Sequence, residues 1–247
     1  MSSIHDLRVW IFHACFPLTV RGMKGVMNAR IVTPRAPLTL RGGKRVSPSI
    51  FIYPTETSYA IGCDATNAAA VRGVFRLKGR ERGKPLPLIV ASRAMAERYA
   101  QFTPLARRLA AHYWPGPLTI VAVGRKPKAG SRRLAPGVVA ANGTIALRIS
   151  SHPIARALSR RLGRPMVATS ANRSGGPPAF SMRAAQRAFP DARGMWIIDA
   201  GALPRRKPST IVDARGSKPI ILRQGAVSLR GAAATKQSRP IRERIIY

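Results

Sequence analysis

Acidic side chains are scarce in this sequence: nine Asp and Glu among 247 residues, against 43 Lys and Arg, for a formal net charge of +34. A reaction centre built on paired carboxylates needs acids to converge, and only seven lie between Ser49 and Gly225, so the composition points away from one. Cysteine is scarcer still. Cys15 and Cys63 cannot by themselves make a disulfide framework or a cysteine-based metal site, and a reducing, cytoplasmic setting is the expectation. The four histidines, His5, His13, His112 and His152, are far apart in sequence and suggest no ligand cluster, so no protein-bound metal site is expected. No apolar run approaches the roughly 18–20 residues of a membrane span, which argues against a membrane partner. Val9–Val20 resembles the apolar core of a signal peptide but has neither a basic run before it nor a small-residue cleavage site after it. Common nucleotide and metal signatures are missing too. Gly42-Gly43-Lys44-Arg45 runs into Val46 and only imitates a phosphate loop, no G-x-G-x-x-G follows a strand, and there is no H-E-x-x-H.

What is present is positive charge, and its placement is informative. Residues 1–48 carry eight basic residues and one acid, and residues 226–247 carry five and one. The stretch from Ser49 to Gly225 therefore holds 30 basic and seven acidic residues, a net of +23. The excess belongs to the folded part and attracts polyanions, with RNA first and nucleotide second. An arginine-biased genome could supply many of the 34 arginines, but it does not explain so few compensating acids.

A hydrophobic content of 45% supports a real core in one fair-sized domain or two small ones. Residues 1–37 read as a basic extension without sustained period: a targeting arm, a misplaced start ahead of Met23 or Met27, or a loosely attached segment. Leu38–Val46 leads into the fold. Strands are expected at Ile50–Tyr53, Leu86–Val90, Leu118–Val123, Thr144–Ile149, Met166–Thr169, Met195–Asp199, Ser209–Asp213 and Pro219–Leu222. Helices are expected over Ala68–Leu77 with Thr66 as its cap, after Thr103-Pro104, through Ile154, Leu158 and Leu162 up to Gly163, and after Ser181. Strands interleaved with helices make one α/β domain over 38–225, followed by a polar, basic and mobile tail at 226–247.

With few acids, the site should be cationic and rich in hydroxyl and amide groups, suited to binding phosphates and steadying charge in phosphoryl or nucleotidyl transfer. Four segments fit. Tyr53-Pro54-Thr55-Glu56-Thr57-Ser58-Tyr59 could line a pocket, or be an ordinary polar exit from a strand. Lys78-Gly79-Arg80, with Arg82 and Lys84, follows a helix, where cations are also favoured by the dipole alone. Thr144 and Arg148 share one face of a strand, although a lone strand arginine is often a rim salt bridge. Ser170-Ala171-Asn172-Arg173-Ser174-Gly175-Gly176-Pro177-Pro178 leaves the carboxyl end of a strand, where α/β sheets place ligands.

In order and together these signals are specific. Y-P-T-E-T at Tyr53–Thr57, K-x-R at Lys78–Arg80, W-P-G-P-L-T at Trp114–Thr119, R-x-x-x-H-P at Arg148–Pro153, S-A-N-x-S-G at Ser170–Gly175, P-S-T-I-V-D at Pro208–Asp213 and L-R-x-G at Leu222–Gly225 all occur. The sequence resembles the YrdC (TsaC) family of threonylcarbamoyl-AMP synthases over about residues 38–225, in its short form without an added C-terminal domain. The resemblance implies a single twisted mixed sheet of about seven strands, with flanking helices, around a basic concave cavity. It implies condensation of L-threonine with bicarbonate or CO2 to a carbamate, attack on the α-phosphate of ATP, and loss of pyrophosphate. Mg2+ would arrive with ATP. A separate downstream transferase would then modify the adenosine beside the tRNA anticodon, so tRNA or double-stranded RNA is an expected partner.

Carried over by motif, Lys78, Arg80, Ser170 and Asn172 resemble the catalytic set. Arg80, Lys84, Thr144, Ser170, Asn172, Pro178 and Arg223 resemble the ATP contacts. Thr57, Arg148, Ala168 and Ser209 resemble the threonine contacts, with the Arg148 guanidinium suited to a two-pronged bond to the amino-acid carboxylate. Two departures stand out: Ile89 occupies a place where many relatives have His, and Tyr59-Ala60-Ile61-Gly62 replaces the usual Y-G-L-G. The alternatives are a non-catalytic double-stranded RNA or ribosome-assembly protein using the same basic surface, and a carbamoyl-transfer relative, which this length and two cysteines make remote.

Overall fold

The computed structural model describes residues 50–126, 132–190 and 195–229 in full, together with the backbone of four short strands, Arg30–Val32, Leu38–Thr39, Arg45–Val46 and Thr235–Lys236. Apart from these strands and residues 226–229, the expected basic extension at 1–37 and the expected tail lie outside the described residues.

From Ile50 the chain runs β1 (Ile50–Pro54), β2 (Tyr59–Cys63), α1 (Ala68–Lys78), β3 (Leu88–Ile89), α2 (Arg93–Tyr99), β4 (Ala100–Gln101), α3 (Pro104–Tyr113), β5 (Leu118–Gly124), β6 (Thr144–Arg148), α4 (Pro153–Leu162), β7 (Met166–Val167), β8 (Thr169–Ser170), α5 (Met182–Ala188), β9 (Trp196–Asp199), β10 (Thr210–Asp213) and β11 (Ile220–Arg223). The α/β class with mixed sheets is as expected. The larger sheet is mixed with seven strands along its order, as expected, while five strands form a separate smaller sheet and Leu38–Thr39 pairs with Arg45–Val46 alone. The smaller has the order Arg30–Val32, β9, β1, β2, β8; the larger runs β7, β3, β6, β5, β10, β11, Thr235–Lys236, with β4 also on β5.

The division has a local cause. Within Met166–Ser170, β7 pairs with β3 and β8 pairs with β2, so one extended segment changes sheets at Ala168, whose N–H donates to Pro87 O. Tyr53 Oη fixes the crossing by donating to Val167 O at 2.9 Å. Gly62 is required there, because a Cβ at that position would lie 1.7 Å from the Val167 carbonyl oxygen. That is the retained glycine of the Tyr59–Gly62 run, and Ala60 fills an apolar site nearby.

Local chemistry accounts for most element boundaries. Asn67, not Thr66, caps α1: its side chain accepts from Ala70 N, while the Thr66 hydroxyl donates to Asp64. Gly79 ends the helix in the left-handed region at φ 61°. Thr103 and Ser181 cap α3 and α5, and Gly163 stops α4, as the sequence indicates. The strand expected over Leu86–Val90 shortens to β3 because Pro85 and Pro87 have no N–H for a ladder. The main core packs α1, α2 and α3 against the sheets through Val71, Val74, Phe75, Leu105, Leu109 and Leu147. A second cluster joins Phe51, Tyr53, Ile89, Ile154, Leu158 and Trp196. The fold continues to Leu229, which is buried, with Ala226 N bonded to Pro208 O. No helix among the described residues is long and apolar enough to cross a membrane.

Candidate active site

The larger sheet supplies the floor of the site. Pairing puts Ile211 beside Thr119 on β10 and β5, Ile120 beside Leu147 on β5 and β6, and Ile89 beside Arg148 on β3 and β6. Thr119, Ile211 and Arg148 line a cavity of about 350 Å³ above that floor. Thr119 reaches its place through the W-P-G-P-L-T segment. Trp114 Nε1 donates to Leu118 O at 2.6 Å, Gly116 N donates to Ile149 O, and the Trp114–Pro115 bond is cis.

One wall is formed by the end of α1 and the loop after β8. Lys78 is 3% exposed, yet it lines the cavity. Its Nζ donates to Ser170 O and Asn172 O, each at 2.6 Å, and its carbonyl accepts from Ser174 N at 2.8 Å. The K-x-R and S-A-N-x-S-G motifs are thus one physical unit, a loop wound around a buried ammonium. Burial first, and then the charge of Arg80, pull the Lys78 pKa down to about 8. Two of the three ammonium donors are committed to the loop, which leaves one for the cavity. Asn172 donates from Nδ2 to Arg173 O and Gly176 O, tightening the turn, while its buried Oδ1 has no partner among the described residues. Arg80 donates to Lys84 O at 2.9 Å and Pro85 O at 3.1 Å, and burial lowers its pKa.

A second part of the lining comes from β6, the turn after β1 and the start of β10. Arg148 Nη1 lies 3.3 Å from Glu56 Oε1, both side chains being less than a tenth exposed, and 3.5 Å from the Thr57 hydroxyl. Glu56 accepts a hydrogen bond from Ser150 Oγ on its other oxygen. Ser150 in turn accepts from His152 N, and His152 Nδ1 accepts from Ile154 N. That bond fixes the neutral tautomer with its proton on Nε2, and burial takes the His152 pKa down to about 4 despite the nearby Glu56 charge. Ser209 Oγ is 3.0 Å from Thr119 Oγ1 and accepts from Arg223 Nη2 at 3.0 Å. Arg223 also grips Ser209 O through Nε and Nη2; burial, Arg148 and Arg80 together lower its pKa to about 10. Gly225 of L-R-x-G is fixed by close approach: a Cβ there would meet Pro208 O at 2.1 Å.

Ten residues singled out from the sequence line this cavity: Thr57, Lys78, Arg80, Arg148, Ala168, Ser170, Asn172, Pro178, Ser209 and Arg223. Lys84 and Thr144 do not. Lys84 Nζ pairs with Glu81 at 3.1 Å in the turn after α1, and it is the Lys84 carbonyl that serves the site, by holding Arg80. Thr144 starts β6, four residues and about 13 Å from Arg148, and its hydroxyl donates to Asn142 Oδ1. Ile89 is fully buried in the second apolar cluster and does not line the cavity. The residues that motif reading left out include Thr55, Ser58, Thr119 and Arg206. Thr55 and Ser58 lie in the Y-P-T-E-T run and its continuation, and Thr119 ends W-P-G-P-L-T, so their signal was present. Arg206 carries no motif signal.

Among the described residues no carboxylate lines the cavity, and no group of three or more His, Cys, Asp or Glu side chains comes together. The arrangement suits anions, with room for a polyphosphate beside Lys78 and a carboxylate beside Arg148. The family model for Sua5, YciO and YrdC, described as telomere recombination, matches residues 47–225. A Thiobacillus denitrificans protein named threonylcarbamoyl-AMP synthase is 39% identical over 171 residues, covering 66% of this chain and 84% of the relative. The crystal structure of P. abyssi Sua5 complexed with L-threonine aligns with TM-score 0.67 and 32% identity, over 74% of this chain and about half (52%) of that one. The crystal structure of E. coli YciO aligns with TM-score 0.63 and 28% identity, over 74% and 85%. With the match spanning the cavity and both its walls, the chain belongs to the Sua5/YciO/YrdC family.

Proposed function

We propose that this chain is a threonylcarbamoyl-AMP synthase, forming threonylcarbamoyl-AMP and pyrophosphate from L-threonine, bicarbonate or CO2, and ATP. The observation that carries the reading is that the Lys78-centred loop and the Arg148 guanidinium line one cavity. Arg148 takes the threonine carboxylate, and Thr57, Ser209 and Thr119 offer hydroxyls to the rest of the amino acid. Arg80, the free Lys78 donor and Ser170 meet the phosphates, with Arg223 between the two ends. The threonine nitrogen bonds to the carbon of CO2 and loses a proton, giving a carbamate. A carbamate oxygen then bonds to the α-phosphorus as the bond to the bridging oxygen breaks, and pyrophosphate carries that electron pair away. The chain's part is to align the two reactants and to offset charge on phosphorus.

Magnesium fits this cavity as a companion of the nucleotide. With no carboxylate among the lining residues described, phosphate oxygens would supply most of its ligands. Its chemistry there is neutralisation of phosphate charge. The enclosed cations serve small anions, whereas an RNA partner would meet the many exposed arginines outside. The deciding experiment is mass detection of threonylcarbamoyl-AMP from purified protein with threonine, bicarbonate, ATP and Mg2+. Absence of product, with RNA binding retained, would favour a non-catalytic RNA-binding protein.

A further inference from the structure

We infer that Arg206 is a further anion-binding residue, taking the terminal pyrophosphoryl group of the nucleotide at the cavity mouth. The nucleotide's identity rests on the synthase reading above; the anion-binding role does not.

Five cationic side chains line the cavity: Lys78, Arg80, Arg148, Arg206 and Arg223. Four of them hold protein groups. Lys78 binds the loop carbonyls, Arg80 binds Lys84 O and Pro85 O, Arg148 faces Glu56, and Arg223 grips Ser209. Arg206 makes no hydrogen bond and no ion pair among the described residues. Its five donors are therefore all open to a ligand, in the planar fork that suits two phosphate oxygens at once.

The backbone that presents Arg206 is held in place. Gly201 N donates to Asp199 Oδ1, and Tyr59 Oη donates to Gly201 O at 2.8 Å. Leu203 N donates to Phe180 O at 2.7 Å, and the Arg205 guanidinium sits 5.9 Å from the Phe180 ring centre. On the far side, Pro208 O accepts from Ala226 N, and Gly225 is packed against Pro208. Proline at 204 and 208 fixes φ on either side of the basic triplet. The loop from 200 to 208 therefore directs one guanidinium to the cavity while Arg205 is engaged elsewhere and Lys207 does not line it.

The open position of Arg206 decides which part of the ligand it meets. The α-phosphate must lie deep, between the Ser170 loop and Arg148, to be reached by a carbamate. Arg206 is exposed, so it meets the phosphates that project outward and leave as pyrophosphate.

The test is calorimetric titration of the full chain, as wild type, Arg206→Ala, Arg206→Lys and Lys207→Ala, with inorganic pyrophosphate, ATP, AMP and duplex RNA. Arg206→Ala should weaken pyrophosphate and ATP about tenfold and AMP less than twofold, with Arg206→Lys intermediate. Lys207→Ala, which removes the same charge next door, should change pyrophosphate binding less than twofold. Unchanged pyrophosphate affinity in Arg206→Ala, equal weakening of AMP, equal weakening by Lys207→Ala, or a loss confined to duplex RNA would each overturn the assignment. If wild type binds pyrophosphate through Arg206 yet makes no threonylcarbamoyl-AMP, the synthase reading fails and the anion site stands.

Discussion

On the wall formed by α1 and the loop after β8, Lys78 and Arg80 donate to backbone carbonyls, and Lys78 makes no salt bridge among the described residues. On the wall formed by β6 and the turn after β1, Arg148 has a counter-ion, Glu56, supported by Ser150. Dipoles alone leave a buried ammonium poorly compensated, and the Lys78 pKa near 8 expresses that. A carboxylate balances Arg148 before any ligand arrives. Lys78 is thus a cation awaiting an anion, whereas Arg148 is already in a neutral pair that a second carboxylate must join. Polyphosphate suits the first and a single amino-acid carboxylate the second.

The comparison breaks most sharply at the reacting phosphates. Ser170→Ala should fold normally, since the loop is held by the Ser170 backbone and no hydrogen bond of its hydroxyl was found among the described residues. It should lose on the order of 10²–10³ in synthesis rate, as removal of one transition-state donor does. Arg80→Ala should lose as much, with a check of folding because it also releases Lys84 O and Pro85 O. Near-wild-type turnover in folded Ser170→Ala would remove that hydroxyl from the chemistry.

On the other wall, Glu56→Gln keeps the shape and removes the counter-charge. Uncovering a buried arginine should lower ligand-free stability by on the order of 3 kcal/mol. L-Threonine should then raise the melting temperature of the variant more than that of wild type, because its carboxylate becomes the anionic partner of Arg148. A smaller threonine shift in the variant would mean that Glu56 chiefly aims the guanidinium and does not balance it.

Protonation separates the walls again. With the folded Lys78 pKa at about 8, against 10.5 for the free side chain, the unfolded chain binds more protons between those values, so Lys78 makes stability rise with pH across that window. Pyrophosphate affinity should move the other way. Above pH 8 the ligand-free lysine is neutral and binding must take up a proton, so affinity falls by up to about tenfold per pH unit. Calorimetry in two buffers of different ionisation enthalpy would measure the uptake; none at pH 8.5 would contradict a neutral Lys78.

Much of the site could be read from the sequence because its residues sit in short motifs at the ends of strands, where periodicity gives out and unusual chemistry shows. Ser170, Asn172, Arg148 and Ser209 belong to that class. The fold was less open to reading where tertiary contacts override local pattern. β2 was missed because Tyr59–Cys63 is buried throughout and shows no alternation. The change of sheet at Ala168 depends on Pro87 and Gly62, distant in sequence. The K-x-R motif puts Lys78 in the catalytic set, but nothing local reveals that its ammonium also carries the Ser170 loop. Thr144 shares its strand with Arg148 but does not line the cavity, a separation that motif matching does not measure.

Ile89 tests the comparison at its smallest scale. A histidine at this place could be a polar contact for threonine, so isoleucine here raises the question of what replaces it. Ile89 lies in register with Arg148, on the strand next to the amino-acid wall, yet it is fully buried among Ile154, Leu158 and Phe51 and does not line the cavity. Polar recognition then falls to Thr57, Ser209 and Thr119, which line the cavity. Ile89→Val should cost about 1 kcal/mol of stability as a lost methylene in a packed cluster. It should leave the preference for threonine over 2-aminobutyrate unchanged within twofold, because that preference depends on a partner for the substrate hydroxyl. Ser209→Ala or Thr57→Ala should erode it. A change of preference in Ile89→Val, with Ser209→Ala and Thr57→Ala neutral, would mean that the apolar cluster reaches the substrate and that the hydroxyls serve only Arg223 and Arg148.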